Sequence, residues 1–452
     1  MSSTPPPSTS PSQRGALRRS APAEPQWYQQ QTRALAVMDD DAEAVAQQQV
    51  AAAQVNAEQH ARHQAWLQHQ RYSAQYATTR AQANPTPRPT LRTWLLGGLV
   101  VGISVVLTTL FALLYGYSFG ALWTIISFLA ALLPLVLVVP VFLWLDRFEA
   151  EPWPYLATAF LYGALVSTAL ALIANTIGGA VLMGSTDPAS AEVLTAVYVA
   201  PVTEETFKGL FLLVMWWFMR REFNGLTDGI VYAGIVAAGF AFTENIQYFA
   251  GAAIDHGVGG FAATFVMRGL MSPFLHPMFT TLTGIGVGLA ATSGSRAVKV
   301  LAPVIGWSAA VLGHGLWNSA ASSGTAQGTL TGLAAGAVAF IAFVCFVVWA
   351  RRREGRLIGE HLMPYAATGW VSRDEVQMLA SMSLRRQARA WARYHRGAAG
   401  LSSMRSFQDC ASELALLRAR MHSHPVDADA LQRERVLLDS MTARRREFAA
   451  AV

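Results

Sequence analysis

Five ionisable side chains stand inside long apolar stretches of this chain: Glu204, Glu205, Lys208, Glu244 and Arg268. His276 and His314 share that setting, and Asn318 follows His314 by one helical turn. A charge within a membrane span is costly unless paired or wetted, so each of these is a candidate for function. Their types suit hydrolysis. A carboxylate can take a proton from water while imidazole and amide N–H groups stabilise the oxyanion of a cleaved carbonyl. The same residues offer a second chemistry, in which Glu204, Glu205, His276 and His314 hold Zn²⁺ and one glutamate acts as base. Residue types alone leave both open.

The segment APVTEETFK (200–208) shows how such a site is assembled. Pro201 suits a first helical turn, which places Glu204 and Glu205 near a helix N-terminus whose partial positive charge favours carboxylates. Lys208 lies within reach of either glutamate at i+3 or i+4. Adjacent glutamates point about 100° apart on a helix, so one can face a cavity while the other holds a partner. Lys208 is one of two lysines beside 32 arginines, an unusual choice for a chain that otherwise uses Arg. Lys208 and Arg268 are supporting charges on this reading. Thr227 and Asp228 begin a span and read as capping groups.

Depth ties the candidates together. Counted from Arg220, Asp228, Arg296 and Lys299, the positions Glu204, Glu244, His276 and His314 each lie about 15–20 residues into a span, roughly 22–30 Å along a helix. Four helices thus place polar groups in one layer of the outer bilayer half. His276 precedes Pro277, which loosens the backbone ladder there.

The elements that must carry these residues follow from composition. Of 452 residues, 53% are hydrophobic and 14% charged, and mean hydropathy is +0.31. Soluble domains carry about 25% charged residues, so an ordinary soluble enzyme is excluded. The expected fold class is all-α, a polytopic membrane protein of about eight helices. Apolar runs fall near 94–116, 121–145, 155–175, 190–221, 227–250, 260–292, 299–320 and 327–350. Three regions result: a Pro/Ser- and Ala/Gln-rich tail (1–93), expected to be disordered and partly helical, a membrane domain (94–350), and a helical basic tail (351–452). The membrane domain holds 7 basic and 11 acidic residues, whereas the last region holds 18 Arg. Arg80, Arg88, Arg92, Arg147, Arg220, Arg221, Arg296, Lys299 and Arg351 to Arg353 mark one side, and the loops at 117–120, 176–189, 251–259 and 321–326 contain no Lys or Arg. The positive-inside pattern then places both termini in the cytoplasm of a plasma-membrane protein. The net charge of +6 needs no nucleic-acid partner. Cys345 and Cys410 cannot form a disulfide framework, and no cleavable signal peptide opens the chain.

Other patterns carry less. No HExxH is present, the G-x-S-x-G string at 116–120 occupies a short outside turn, and two facing intramembrane aspartates are missing. A proton- or ion-coupled transporter would also bury Glu, His and Lys, but the internal repeat expected of one is absent.

EETFK (204–208), FAFTE with Asn245 (240–245) and HGLWN (314–318), in order with DRFEAEPW (146–153) and DGIVYAG (228–234), resemble the PrsW family. That family is related to type II CAAX prenyl endopeptidases and Abi proteins. The resemblance spans about 94–350 and implies a membrane-embedded peptidase that cuts membrane-anchored proteins such as anti-sigma-factor-like regulators. By motif it implies Glu204 and Glu205 as the essential carboxylates, with Glu244, His276, His314 and Asn318 completing the site. The chain departs from the wider Abi pattern, where His often stands at the place of Glu244. The resemblance leaves metal-free and zinc mechanisms open.

Overall fold

The computed structural model describes residues 91–219, 223, 225–423 and 428–449. The expectations for most of the N-terminal tail, and for Arg220 and Arg221, lie outside these residues. Among the described residues there are helices and no strands. In the membrane part they are α1 (Leu91–Phe119), α2 (Ala121–Leu145), α3 (Trp153–Leu161), α4 (Thr168–Met183), α5 (Pro188–Leu194), α6 (Ala200–Phe218), α7 (Leu226–Thr264), α8 (Leu275–Thr292), α9 (Arg296–Ala321) and α10 (Ala326–Ala367). α3 runs into α4 through a π-helical turn at Tyr162–Ser167, and α5 into α6 through another at Thr195–Val199. A third, Phe265–Met271, follows α7.

Among the described residues six stretches are long and apolar enough to cross a membrane. One of them, Leu226–Thr292, is double. Gly257 leaves the helix with φ 64° and ψ −156°, a conformation open to glycine, and the chain reverses there. Phe261 and Phe265 then return onto Phe249, at ring separations of 6.0 and 5.6 Å. Counting that stretch twice and adding α5–α6 makes eight passages. The fold is therefore a polytopic helical membrane protein.

α7 is the central post. Residues Gly229 to Phe240 are buried throughout, against Phe142 and Leu145 of α2, Leu212 of α6 and Val287 of α8. Helices approach closely where side chains vanish: a Cβ on Gly229 would lie 2.1 Å from the Gly284 carbonyl oxygen, and one on Gly284 would lie 2.1 Å from that of Gly229. Small residues replace the hydrophobic effect as the packing device in lipid. α1 shows the complementary pattern, with Val101, Val105 and Leu113 exposed.

The basic C-terminal region folds on the same molecule. The end of α10, α11 (Arg373–Ala380), α12 (Met382–Ser423, reversing at Gly397) and α13 (Ala428–Ala449) share a core of Ile358, Leu362, Leu379, Phe407, Leu414 and Phe448. Phe148, from the loop between α2 and α3, joins that core. Arg385 has no exposed surface and donates to the carbonyls of Phe148 (3.0 Å), Leu379 (2.8 Å) and Gln408 (3.3 Å), and to Ser412. Thr227 at the start of α7 donates to Glu354 (2.9 Å). An amphipathic face that a sequence offers to lipid or to a partner is here spent on an internal core.

The α2–α3 loop also buries carboxyls. Burial, with Asp228 and Glu354 nearby, pushes Asp146 up to about 8, and burial with Asp228 pushes Glu151 up to about 10. Asp146 accepts the Glu151 N–H at Oδ2 (2.9 Å), Tyr232 donates to Glu151 (2.7 Å), and Asp146 Oδ1 has no partner. A carboxyl whose folded pKa is raised contributes stability present below its unfolded value and lost as pH climbs to the folded value. For Asp146 that window runs from the ordinary carboxylate range to about 8. Asp146→Asn keeps the acceptor and removes the buried charge. It should match the parent in thermal unfolding at pH 4 and exceed it by ~3 °C or more at pH 8.

Candidate active site

Glu204 and Glu205 follow Pro201 by one turn, but Pro201 lies inside a continuous helical run from Pro188 to Phe218, so no free helix N-terminus faces the two carboxylates as expected. Their environments differ completely. Glu205 is fully enclosed and every oxygen is engaged: Oε1 takes Lys208 Nζ (2.5 Å) and His314 Nδ1 (3.0 Å), and Oε2 takes the Thr280 hydroxyl (2.8 Å). Glu204 accepts one hydrogen bond, from Asn175 Nδ2 to Oε1 (3.3 Å). Its Oε2 is buried with no hydrogen-bond partner and lies 3.8 Å from His314 Nε2.

The imidazoles are held just as differently. The Lys208 ammonium can only donate, so His276 Nδ1 at 3.3 Å accepts and the ring proton sits on Nε2. Nε2 meets Glu244 Oε2 at 2.8 Å, and that oxygen also takes Arg268 Nη2 at 2.5 Å. Arg268 Nε donates to Asn245 (3.0 Å), and its guanidinium lies 4.0 Å over the Tyr248 ring. Both nitrogens of His276 are thereby used. His314, turned by Glu205 at Nδ1, presents Nε2 to Glu204; its ring stacks on Phe279 and meets His276 edge-on at 5.1 Å.

Glu204, Glu244, Arg268, His276 and His314 line a cavity of about 1010 Å³, and Glu205 and Lys208 stand behind them. Its floor includes Glu204, Phe240, Glu244, His276 and His314. Its walls reach Met183, Pro188 and Ala189 beside the α4–α5 turn and Ala321 at the end of α9, the side away from Arg147, Arg296 and Arg351. All three π-helical turns lie on the chain segments that border it. The widened turn of Thr195–Val199 leaves the Ala196 carbonyl to Asn318 Nδ2 (2.8 Å), whose second N–H remains for the cavity. Without a π-turn these carbonyls would stay in the ordinary helical ladder.

The structure therefore brings Glu205, Lys208, Glu244, Arg268, His276 and His314 into one hydrogen-bonded cluster, with Glu204 3.8 Å from His314 at its edge and Asn318 on the cavity wall. Ser118, at the end of α1, is not among the lining residues, and Thr227 and Asp228 sit at the opposite end of α7. Asn175, Thr203 and Thr280 were not singled out from the sequence. For Asn175 a signal existed: it is the one amide in the apolar run TALALIANTIGG. Threonine gives no such signal, because it bonds its own helix as readily as a neighbour.

Residues 151–350 match the family described as PrsW family intramembrane metalloprotease. The chain is similar to Protease PrsW of Geobacillus kaustophilus (strain HTA426), 28% identical over 161 residues, or 36% of this chain and 65% of the relative. It is also similar to Protease PrsW of Clostridioides difficile (strain 630), 30% identical over 124 residues, 27% of this chain and 49% of the relative. The chain thus spans just under two thirds and about half the length of these relatives. No solved structure matches it significantly. The resemblance carried by the short motifs holds over this segment.

The family description implies a metal, and the donors can be tested for one. Glu204, His276 and His314 each offer an atom within 4.8 Å of the others. A catalytic zinc takes three protein ligands. Two donors are free here, Glu204 Oε2 and His314 Nε2. The third, His276, is bound at both nitrogens, with the Lys208 ammonium 3.3 Å away. Glu205, the other expected ligand, is fully engaged elsewhere. As arranged, the residues do not fit a resident divalent ion.

Proposed function

We propose that this chain, whose residues 151–350 match the PrsW family, is an intramembrane peptidase in which Glu204 activates water. The observation that carries the reading is the unpartnered Oε2 of Glu204, facing His314 Nε2 across 3.8 Å beside a roomy cavity. A water between them yields a proton to Oε2 as its oxygen attacks the substrate carbonyl carbon. The free N–H of Asn318 donates to the developing oxyanion, and His314, held at Nδ1 by Glu205, turns Nε2 to the same space. Protonated Glu204 then hands its proton to the leaving amine. Lys208, Glu244 and Arg268 fix His276 and the cavity floor.

The substrate is a membrane-anchored protein, of the anti-sigma-factor regulator type, entering from the α4–α5 side. The enzyme sits in the plasma membrane with both termini cytoplasmic, which puts the cavity mouth on the outer side. The test compares membrane proteins in cells carrying the parent or Glu204→Gln. A protein that is cut only with the parent supports the reading, and identical profiles reject it. In the purified enzyme, EDTA or 1,10-phenanthroline should leave cleavage unchanged, and added Zn²⁺ should not raise it. Loss on chelation with recovery on Zn²⁺ would overturn the metal-free route.

A further inference from the structure

We infer that Asn175 is a positioning residue for Glu204, held in its working orientation by Thr203. This deepens the peptidase reading of Glu204 and rests on it. Asn175 belongs to α4, the wall of the cavity, and not to the helix that carries the glutamates. Among the described residues it is the one hydrogen-bond partner of Glu204 across helices, donating from Nδ2 to Oε1. The Thr203 hydroxyl lies 2.5 Å from Asn175 Oδ1. That contact settles the amide: with the oxygen turned the other way, Asn175 would set an acceptor against the Glu204 carboxylate.

The consequence is a choice between two chemically identical oxygens. Asn175 occupies Oε1, so Oε2 alone is left toward His314 and the cavity. The two glutamates are thereby fixed by separate devices. Glu205 is clamped by three charged or polar partners, and Glu204 by a single neutral amide that leaves its second oxygen open. A neutral donor suits this task, because a cation at Oε1 would draw the carboxylate away from the proton it must take. Thr203 precedes Glu204 directly; the Val199 and Ala200 carbonyls also lie 3.0 and 3.1 Å from its hydroxyl oxygen, so its single proton goes to Asn175 Oδ1, the nearest of the three acceptors. α4 consequently lines the substrate's path and orients the base at once.

The test uses near-isosteric changes in the full chain: Asn175→Leu and Thr203→Val, with Thr203→Ser as the conservative partner. Thr203 is not among the cavity-lining residues, so its variants separate orientation from substrate contact. Both disruptive variants should lower kcat by about 10- to 100-fold with KM held within about twofold, and Thr203→Ser should keep the parental rate. The melting temperature should not move. A second readout is independent of turnover: the infrared carboxyl band of Glu204, isolated by subtracting the Glu204→Gln spectrum, should shift in Asn175→Leu and Thr203→Val and stay in place in Thr203→Ser. Parental kcat and an unshifted band in both disruptive variants would overturn the inference, as would a loss confined to melting temperature. If the parent cleaves no better than Glu204→Gln, the peptidase reading fails, while the band still decides whether Asn175 orients Glu204.

Discussion

Glu204→Gln is expected to lower cleavage by about 10²–10⁴-fold, the range that a positioned general base supplies. Stability should not fall with it. Glutamine keeps Oε1 as acceptor for Asn175, so the one hydrogen bond to the side chain survives. What is removed is a buried, unpartnered carboxylate oxygen, which costs stability wherever it occurs. Thermal unfolding of the variant should therefore match or exceed that of the parent, the relation expected of a residue kept for chemistry at the expense of the fold. The measurement pairs turnover with a melting curve in the same detergent. A variant that melts early would mean that Glu204 holds the bundle together, and a variant that cleaves normally would remove it from the reaction.

The opposite outcome is expected four residues later. Lys208→Met should destabilise the protein by about 3–5 kcal/mol, because it strands the fully buried Glu205 carboxylate without its cation. Activity should vanish as well, since Lys208 also fixes His276 through Nδ1. The double variant Glu205→Gln/Lys208→Met removes both charges and should recover most of the lost stability. It should stay inactive, because His276 has lost the lysine that fixes its Nδ1 and His314 Nδ1 has lost its carboxylate partner. Melting temperatures and turnover of the two single variants and the double variant close the cycle. If the double variant is no more stable than Lys208→Met, the pair is not the reason Lys208 is buried. On the expected outcome the two adjacent glutamates fall into different classes: Glu204 carries function alone, and the Glu205–Lys208 pair carries function and stability together.

Much of this was legible in the sequence because lipid makes charge expensive. Glu204, Lys208, Glu244 and Arg268 are conspicuous in an apolar run, and their common depth pointed to one cluster. The direction of each contact was not legible. That Glu205 and not Glu204 takes Lys208 depends on the rotation of α6 against α8 and α9, which a 100° step on a helical wheel cannot decide alone. Of the three π-helical turns, the one at Thr195–Val199 has a mark in residue type, since Pro201 just beyond it has no N–H for the helical ladder. The C-terminal helices were visible as helices, but their periodicity could not tell an internal core from a lipid- or partner-facing side. Phe148, a single aromatic in a loop 200 residues upstream, was the missing half of that core.

The union of Phe148 with Arg385 also sets a schedule. Their hydrogen bond joins residues 237 positions apart in the chain. At the usual pace of about 5–20 residues per second, a ribosome needs roughly 10–50 s to travel that distance. Throughout that interval the α2–α3 loop, with its carboxyls and its exposed phenylalanine, has no cover. His314 is made before Arg385, so every member of the reactive cluster exists while the base of the bundle is still open. The last hundred residues therefore act as the closing step of biogenesis, and a chain cut short after α10 would own all its chemistry without the fastening that seals it.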